Sequence, residues 1–253
     1  MLTNTMKQHV TKLQQKKYRY EFQEFIIEGK KAIDEAFQNT AKLTTIFIQE
    51  EKSESEEFDQ VIQRAKKEHI PVYFVSKKDI KDIKTTSTYP GISAIVTFQP
   101  QTLATITQNT PIIVLDSIND PGNLGTIIRT ADWFGFTTIL LSENCVDPYN
   151  EKVVRSTMGS IFHMNLIQST NIVQDVALLK QKKYKAYGFT MKGKNIKGLK
   201  KSKKSVYIFG SESHGIQEDL LPLCNGLYSI PGKGKAESLN VAVSAAVVMY
   251  KVV

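Results

Sequence analysis

Apolar positions along this 253-residue chain follow two rhythms. Up to about residue 98 they come as short runs between amphipathic stretches. Phe25, Ile26 and Ile27 form a compact apolar run that closes at Glu28-Gly29. Ala32, Ile33, Ala36 and Phe37 then share one helical stripe, which predicts a helix over 30–39. Residues 44–48 read as a strand. The charged stretch 53–68 reads as a helix with Phe58, Val61, Ile62 and Ala65 turned inward, and 72–75 and 92–98 read as further strands. Residues 1–20 are basic and polar, and no element is assigned to them.

A polar stretch, 99–109, separates this α/β unit from a second one. Strand-like runs follow at 112–115, 138–141, 164–167, 185–189, 206–209 and 227–230. Helical patterns at 124–134, 151–158, 172–182, 216–223 and 239–251 lie between or after them. Such β-α alternation predicts a mostly parallel sheet covered by helices. The expected organisation is a smaller α/β domain over 1–98, a linker over 99–109 and a larger α/β domain over 110–253. Two domains also suit the length better than one.

Composition narrows the class. Hydrophobic residues make up 41% and charged residues 23%, which excludes disordered, collagen-like and disulfide-scaffold chains. Lys and Arg total 33 against 25 Asp and Glu, a net charge of +8 that favours a polyanionic partner, nucleic acid before membrane. Only four of the cations are arginines: Arg19, Arg64, Arg129 and Arg155. A chain so biased to lysine reserves arginine for places that need a planar, multi-donor cation. Ten lysines and no acid occupy 182–204, which reads either as a solvated loop or as a contact to an RNA backbone. Cys145 and Cys224 lie far apart, as free thiols in a reducing cytoplasm would. Four scattered histidines form no metal-binding spacing. The N-terminal stretch lacks the apolar core of a secretory signal, and no apolar run approaches the length of a membrane span.

Three strand ends in the second unit carry unusual sequences, and ligands of open parallel sheets sit at such ends. After the run at 112–115 comes a Pro121-Gly122 turn, then Asn123, placed to cap a helix that Gly135 closes. Leu124, Ile127, Ile128 and Ala131 make the buried stripe of that helix, while Arg129 and the sole tryptophan, Trp133, share the outward face. After the run at 206–209 comes Gly210-Ser211-Glu212-Ser213-His214-Gly215. It approaches a nucleophile elbow, but position 211 is not glycine and no histidine follows residue 214, which excludes a hydrolase of that type. Glu212 is expected to be a partly buried carboxylate meeting a cation or a hydroxyl. After the run at 227–230 comes Ile230-Pro231-Gly232-Lys233-Gly234-Lys235, and Ser238 is placed to cap the last helix. Too few residues remain for a dinucleotide-binding βαβ unit. That last helix is rich in Ala and Val on nearly every side, which predicts burial all round, within the domain or in an oligomer.

Together the three segments resemble the motifs of the SpoU/TrmH family of RNA ribose 2′-O-methyltransferases, within the SPOUT superfamily. The first is Asn123 to Phe136, the second Phe209 to Ile216, and the third Ile230 to Val243, in the family's order. Residues 19–98 are similar, more weakly, to that family's L30e-like substrate-binding domain. The resemblance implies a trefoil knot in the cofactor region, an obligate homodimer and S-adenosylmethionine as methyl donor. It makes Asn123, Arg129, Glu212, Ser238 and Asn240 the catalytic-centre residues. It gives Gly210, Ile230 and Leu239 the adenosine part of the cofactor, held largely through backbone groups. Two positions depart from the family pattern: Ser213 stands where Gly is usual and Gly232 where Met is common.

The implied reaction moves a methyl group from a sulfonium to a ribose 2′-hydroxyl. The sulfonium is already a strong electrophile, so positioning and removal of the hydroxyl proton are the difficult parts. Two roles stand open for Arg129. A guanidinium of depressed pKa accepts the proton, or cationic Arg129 binds the adjacent phosphate and stabilises the developing alkoxide. Physical grounds favour the second. The expected substrate is RNA, rRNA (23S) before tRNA, and the expected location cytoplasmic. The competing reading is a non-catalytic RNA-binding protein that keeps the fold, against which the intact set of five polar residues argues.

Overall fold

A computed structural model describes residues 2–85, 87–106 and 110–253. Residues 107–109 of the expected linker lie outside the described residues. Two compact units are present, Met1–Gln99 with Tyr149–Phe162 and Pro100–Pro148 with His163–Val253. The second expected domain runs unbroken from 110, whereas Tyr149–Phe162 packs within the first unit. There the ring of Tyr149 stacks on Phe98 at 3.9 Å and packs against Phe25 at 5.1 Å.

The first unit opens with α1 (Asn4–Leu13) and α2 (Lys16–Phe22), in a stretch where the sequence pattern assigns no element. Thr3 caps α1, its Oγ1 accepting from Met6 N at 3.2 Å. Only Val10 and Leu13 of α1 are buried, too few for a clear stripe. Next come β1 (Glu24–Glu28), α3 (Lys30–Gln38), β2 (Leu43–Gln49), α4 (Glu56–Lys67), β3 (Val72–Val75), α5 (Lys77–Ile83) and β4 (Ile92–Thr97). The sheet order is β1-β4-β2-β3, with β2 and β3 parallel and the other pairs antiparallel. Lys7 of α1 pairs with Asp79 and Asp82 of α5, which ties the N-terminal helix down. The Lys7 ammonium holds the Asp79 carboxyl below its ordinary range.

Two of the four arginines are structural. Arg19 is buried and its Nη1 donates to Leu13 O at 2.9 Å. Arg64 lies over the Phe37 ring, donates to Phe37 O at 2.7 Å and pairs with Glu68 at 2.8 Å. Arg129 and Arg155 are exposed and make no side-chain hydrogen bond or ion pair among the described residues.

The second unit holds β5 (Ile112–Leu115), α6 (Pro121–Trp133), β6 (Thr138–Leu141), β7 (Asn165–Gln168), α8 (Ile172–Gln181), β8 (Lys185–Asn195), β9 (Ser205–Phe209), β10 (Gly226–Ser229) and α9 (Val241–Val252); α7 (Glu151–Thr157), of the first unit, lies between β6 and β7 in the chain. Six strands form one parallel sheet in the order β10-β8-β9-β5-β6-β7. The central strands β5, β6 and β9 are buried from end to end, which is why they read as unbroken apolar runs. Leu124, Ile127, Ile128 and Ala131 of α6 are buried as their spacing predicts.

Three expectations need correction. The expected helix over 216–223 is a 3-10 turn, Glu218–Leu223, because Pro222 has no N–H for an α-helical bond. The lysine-rich stretch is an irregular loop only over 199–204: before that β8 continues to Asn195, a 3-10 turn follows at Ile196–Gly198, and Ile196 and Leu199 are buried. Burial of α9 all round within the domain, the first of its two expected alternatives, is not met: Val243, Val247 and Tyr250 stay exposed in the single chain. No helix among the described residues is long and apolar enough to cross a membrane.

Candidate active site

Strands β5 and β9 are neighbours, and the strands that follow them in sequence, β6 and β10, lie on opposite sides of the pair. This is a topological switch point, which opens a crevice at the carboxyl ends of the strands. The three unusual segments all leave the sheet at that end.

Asp116 terminates β5 and is almost wholly buried. Its Oδ2 accepts from Gln217 N at 2.8 Å. Its Oδ1 accepts from Gln217 Nε2 at 3.2 Å and from the Ser117 hydroxyl at 3.1 Å. These donors offset the cost of burying a carboxylate and clamp the end of β5 to the chain leaving β9. Ser117 has φ +60°, and Ser142 Oγ accepts its N–H at 2.9 Å. Burial pushes the Cys145 thiol up, so it stays protonated and donates to Leu115 O at 3.3 Å. A polar residue closing an otherwise apolar strand is the signal that marks Asp116; sequence reasoning passed over it, as it did Gln217 and Ser142.

Residues 211–215 form a tight turn. Ser211 N donates to Gly215 O at 3.1 Å, Gly215 N to Ser211 O at 2.9 Å, and His214 N to Ser211 Oγ at 3.1 Å. Gly215 needs φ +70°. Ser213 sits exposed within this turn. At Gly232 a Cβ would meet nothing within 4 Å, so the second departure from the family pattern is accommodated in open space.

Three polar side chains meet above the crevice. Asn123 Nδ2 donates to Glu212 Oε1 at 2.7 Å. Asn240 Nδ2 donates to Asn123 Oδ1 at 2.9 Å and to Glu212 Oε1 at 3.1 Å. The Asn240 oxygen is engaged by the helix it begins, accepting from Ala242 N at 2.9 Å and Val243 N at 3.3 Å. Glu212 thus sits at the first turn of α6 and at the N-cap of α9, where two helix dipoles favour its negative charge.

The local roles differ from expectation. Asp120, not Asn123, caps α6: its Oδ1 accepts from Asn123 N at 2.7 Å and Pro121 occupies the first turn. That frees the Asn123 side chain for Glu212. Asn240, not Ser238, caps α9, which starts two residues later than expected. Glu212 is exposed rather than partly buried, and meets two amides rather than a cation or a hydroxyl. Gly135 does close α6, with φ +75°.

Asn123, Glu212 and Asn240 are therefore brought together, while Arg129 and Ser238 stand outside their network. Arg129 lies six residues, about 9 Å, further along α6, on the exposed face it shares with Trp133. Ser238 is exposed and makes no hydrogen bond among the described residues. Gly210 and Ile230 are half-buried at their strand ends and Leu239 is exposed. Residues 231–239 are exposed, and among the described residues their backbone groups make no hydrogen bond. A loop with free N–H and C=O groups beside half-buried apolar positions suits a nucleoside held through the main chain. No group of His, Cys, Asp and Glu among the described residues is arranged to hold a metal ion.

Because Asn123 and Asn240 bond each other and share Glu212, their replacements should not add. The double variant Asn123→Ala with Asn240→Ala is expected to lose less stability than the sum of the single variants, by about 0.5–1 kcal/mol in urea unfolding. Strict additivity would show that the triangle is not formed in solution.

A crevice at the switch point of a six-stranded parallel sheet, bordered by three polar loops, defines a ligand-binding α/β protein, and comparison with known proteins specifies which. Residues 110–250 match the SpoU rRNA Methylase family. Residues 26–102 match the family described as RNA 2′-O ribose methyltransferase substrate binding. The chain belongs to the SpoU rRNA methylase family. Among its relatives is 23S rRNA (guanosine(2553)-2′-O)-methyltransferase RlmP of Bacillus subtilis, 32% identical over 94% of this chain and 92% of the relative. An AdoMet-bound rRNA methyltransferase from Sinorhizobium meliloti superposes with a TM-score of 0.86 at 28% identity, over 99% of this chain and 95% of the other. The SpoU methyltransferase AviRb from Streptomyces viridochromogenes, in complex with AdoMet, shares the fold with a TM-score of 0.89 at 20% identity, over 98% and 97%.

Proposed function

We propose that this protein is an S-adenosylmethionine-dependent RNA methyltransferase that acts on a ribose 2′-hydroxyl of 23S rRNA, in the cytoplasm. The observation that carries this reading is the Asn123–Glu212–Asn240 triangle, which joins the three family motifs at the switch point of the sheet. The rRNA activity of RlmP, similar over nearly the whole chain, supports the choice of RNA.

When bound, S-adenosylmethionine supplies an electrophilic methyl group. Gly210, Ile230 and Leu239 hold its adenosine through backbone groups. Glu212 fixes the two amides; Asn123, Ser238 and Asn240 orient the ribose and the loops through neutral hydrogen bonds. Arg129 stays protonated, as arginine does in proteins. Its guanidinium binds the phosphate beside the target nucleotide and stabilises the alkoxide as the hydroxyl proton leaves to solvent or phosphate.

The functional unit is a homodimer formed through α6 and α9. Trp133 (84% exposed), Tyr250 (75%), Val243 and Val247 lie on these two packed helices as an unpartnered apolar face. Sedimentation velocity should give the dimer mass for the unaltered chain and the monomer mass for Val247→Asp with Tyr250→Glu. A monomeric unaltered chain contradicts the dimer.

The activity is tested by incubating total RNA with methyl-labelled S-adenosylmethionine and mapping the label by nuclease digestion. Label at one alkali-resistant ribose of 23S rRNA is the expected result. Label in tRNA would correct the substrate, and label on a base, or none, would overturn the reaction.

A further inference from the structure

Seven of the ten lysines of the lysine-rich stretch fall into two groups that the fold sets apart, and Lys200, Lys201 and Lys203 lie on the irregular chain between the 3-10 turn and β9. Lys182, Lys183 and Lys185 lie with Lys204 at the amino ends of β8 and β9, where Lys185 N donates to Lys204 O at 3.0 Å and Lys204 Nζ to Lys182 O at 3.2 Å. Lys192, Lys194 and Lys197 lie past Phe189, which pairs with Phe209, and so at the carboxyl end of the sheet with the site. The height of β9, five residues, separates the two groups by roughly 17 Å. That exceeds a Debye length of about 8 Å at physiological salt, so the groups act independently.

At the site end β8 departs from regular pairing. Gly188 is opposite Leu227 but Lys194 is opposite Tyr228, so residues 189–193 bulge without a partner on β10. The bulge is seated firmly. A Cβ on Gly193 would lie 2.7 Å from the carbonyl carbon of Tyr228, so only glycine allows this approach, and Ser229 Oγ donates to Gly193 O at 3.0 Å. Beyond it, Asn195 Oδ1 accepts from Lys197 N at 2.9 Å, and Ile196 and Leu199 are buried beneath the turn. Lys192, Lys194 and Lys197 are thus exposed cations on an ordered frame. No acidic residue occurs from 182 to 211. β10, paired to this bulge, leads directly into the exposed loop that carries Lys233 and Lys235.

We propose that Lys192, Lys194 and Lys197 form a phosphate-binding ridge that holds the RNA strand beside the methyl-transfer site. This rests on the reading of RNA as substrate. Lysines act as point charges on phosphates and carry no base preference, so the ridge positions the strand and leaves selection of the nucleotide to other surfaces. A fixed frame reduces the ordering cost of binding compared with a mobile loop.

The test compares two triple variants of the full chain that remove the same charge. Binding of a short fluorescein-labelled oligo(U) strand is followed by anisotropy across a salt series. Lys192→Gln, Lys194→Gln and Lys197→Gln together should flatten the plot of log affinity against log salt by roughly two units, about 0.7 per lysine. Affinity at fixed low salt should drop at least roughly tenfold. Lys182→Gln, Lys183→Gln and Lys185→Gln together should leave the slope as it is, and arginine at 192, 194 and 197 should restore it. An unchanged slope in the first variant, or equal loss in both, overturns the ridge while RNA binding by the unaltered chain keeps the substrate reading intact. Failure of the unaltered chain to bind RNA overturns both.

Discussion

Arg129→Ala is expected to lower methylation of RNA by roughly 10²–10³-fold, the effect of removing one preorganised group that stabilises developing charge. Binding of S-adenosylmethionine, measured by calorimetry, should change no more than a few fold. Stability of the individual chain should hardly change, because within it Arg129 is exposed and unpaired among the described residues. That separation of effects is the diagnostic. Arg19 and Arg64 are bound into the first unit, and their loss would act through folding instead. Arg129→Lys asks whether charge is sufficient. A planar fork that grips a phosphate in two places is not replaced by an ammonium, so activity should stay near that of the alanine variant. Parallel loss of cofactor binding and activity in Arg129→Ala would move the residue from catalysis to cofactor binding.

Gly210→Ala is expected to be the most damaging single methyl group in the site. Its Cβ would lie 2.0 Å from the carbonyl carbon of Gly215, 2.1 Å from that carbonyl oxygen and 2.2 Å from Ile216 N. All three are main-chain atoms, so no side chain can swing aside. The 211–215 turn has to open, which draws Glu212 away from Asn123 and Asn240 and disturbs the loop beside Asp116. A loss of about 1–3 kcal/mol of stability is expected from such overpacking, visible as a lowered Tm. Affinity for S-adenosylmethionine should fall at least tenfold more than in Arg129→Ala, since Gly210 is proposed to hold the adenosine and its turn carries Glu212. Wild-type affinity in this variant would show that the turn is not part of the cofactor site.

These two residues mark how far the sequence could be read. Arg129 was legible: its outward position follows from the buried stripe of α6, and the solitary Trp133 one turn on shares that face. Gly210 was legible as a family position but not as a steric necessity, because the atoms it must avoid belong to a turn whose closure depends on Gly215. The capping assignments failed for a local reason. Asp120 and Asn123 are both good caps three residues apart, as are Ser238 and Asn240 two apart, and the sequence offers no means of ranking them. The structure ranks them by what else each side chain does. Asp120 caps so that Asn123 is released, and Asn240 caps with its oxygen while its NH₂ group reaches across the site. The helices α1 and α5 were missed because each buries only two or three side chains, one of them a pairing aspartate in α5.

The sequence by itself determined the elements of the parallel sheet, the inward stripe of α6, the three segments that carry chemistry and the family they belong to. Each of these rests on periodicity or on residues a few positions apart, which the chain encodes locally. Tertiary structure alone decided that Glu212 meets Asn123, 89 positions away, and that Asn240 meets Asn123, 117 positions away. It also turned a lysine-rich stretch into an ordered bulge at the site end of the sheet. Those outcomes follow from strand order: β9 inserts beside β5, and β8 beside β9, so side chains remote in sequence converge at the carboxyl ends. No local pattern specifies that order. It is set by which arrangement buries β5, β6 and β9 completely, a property of the whole fold.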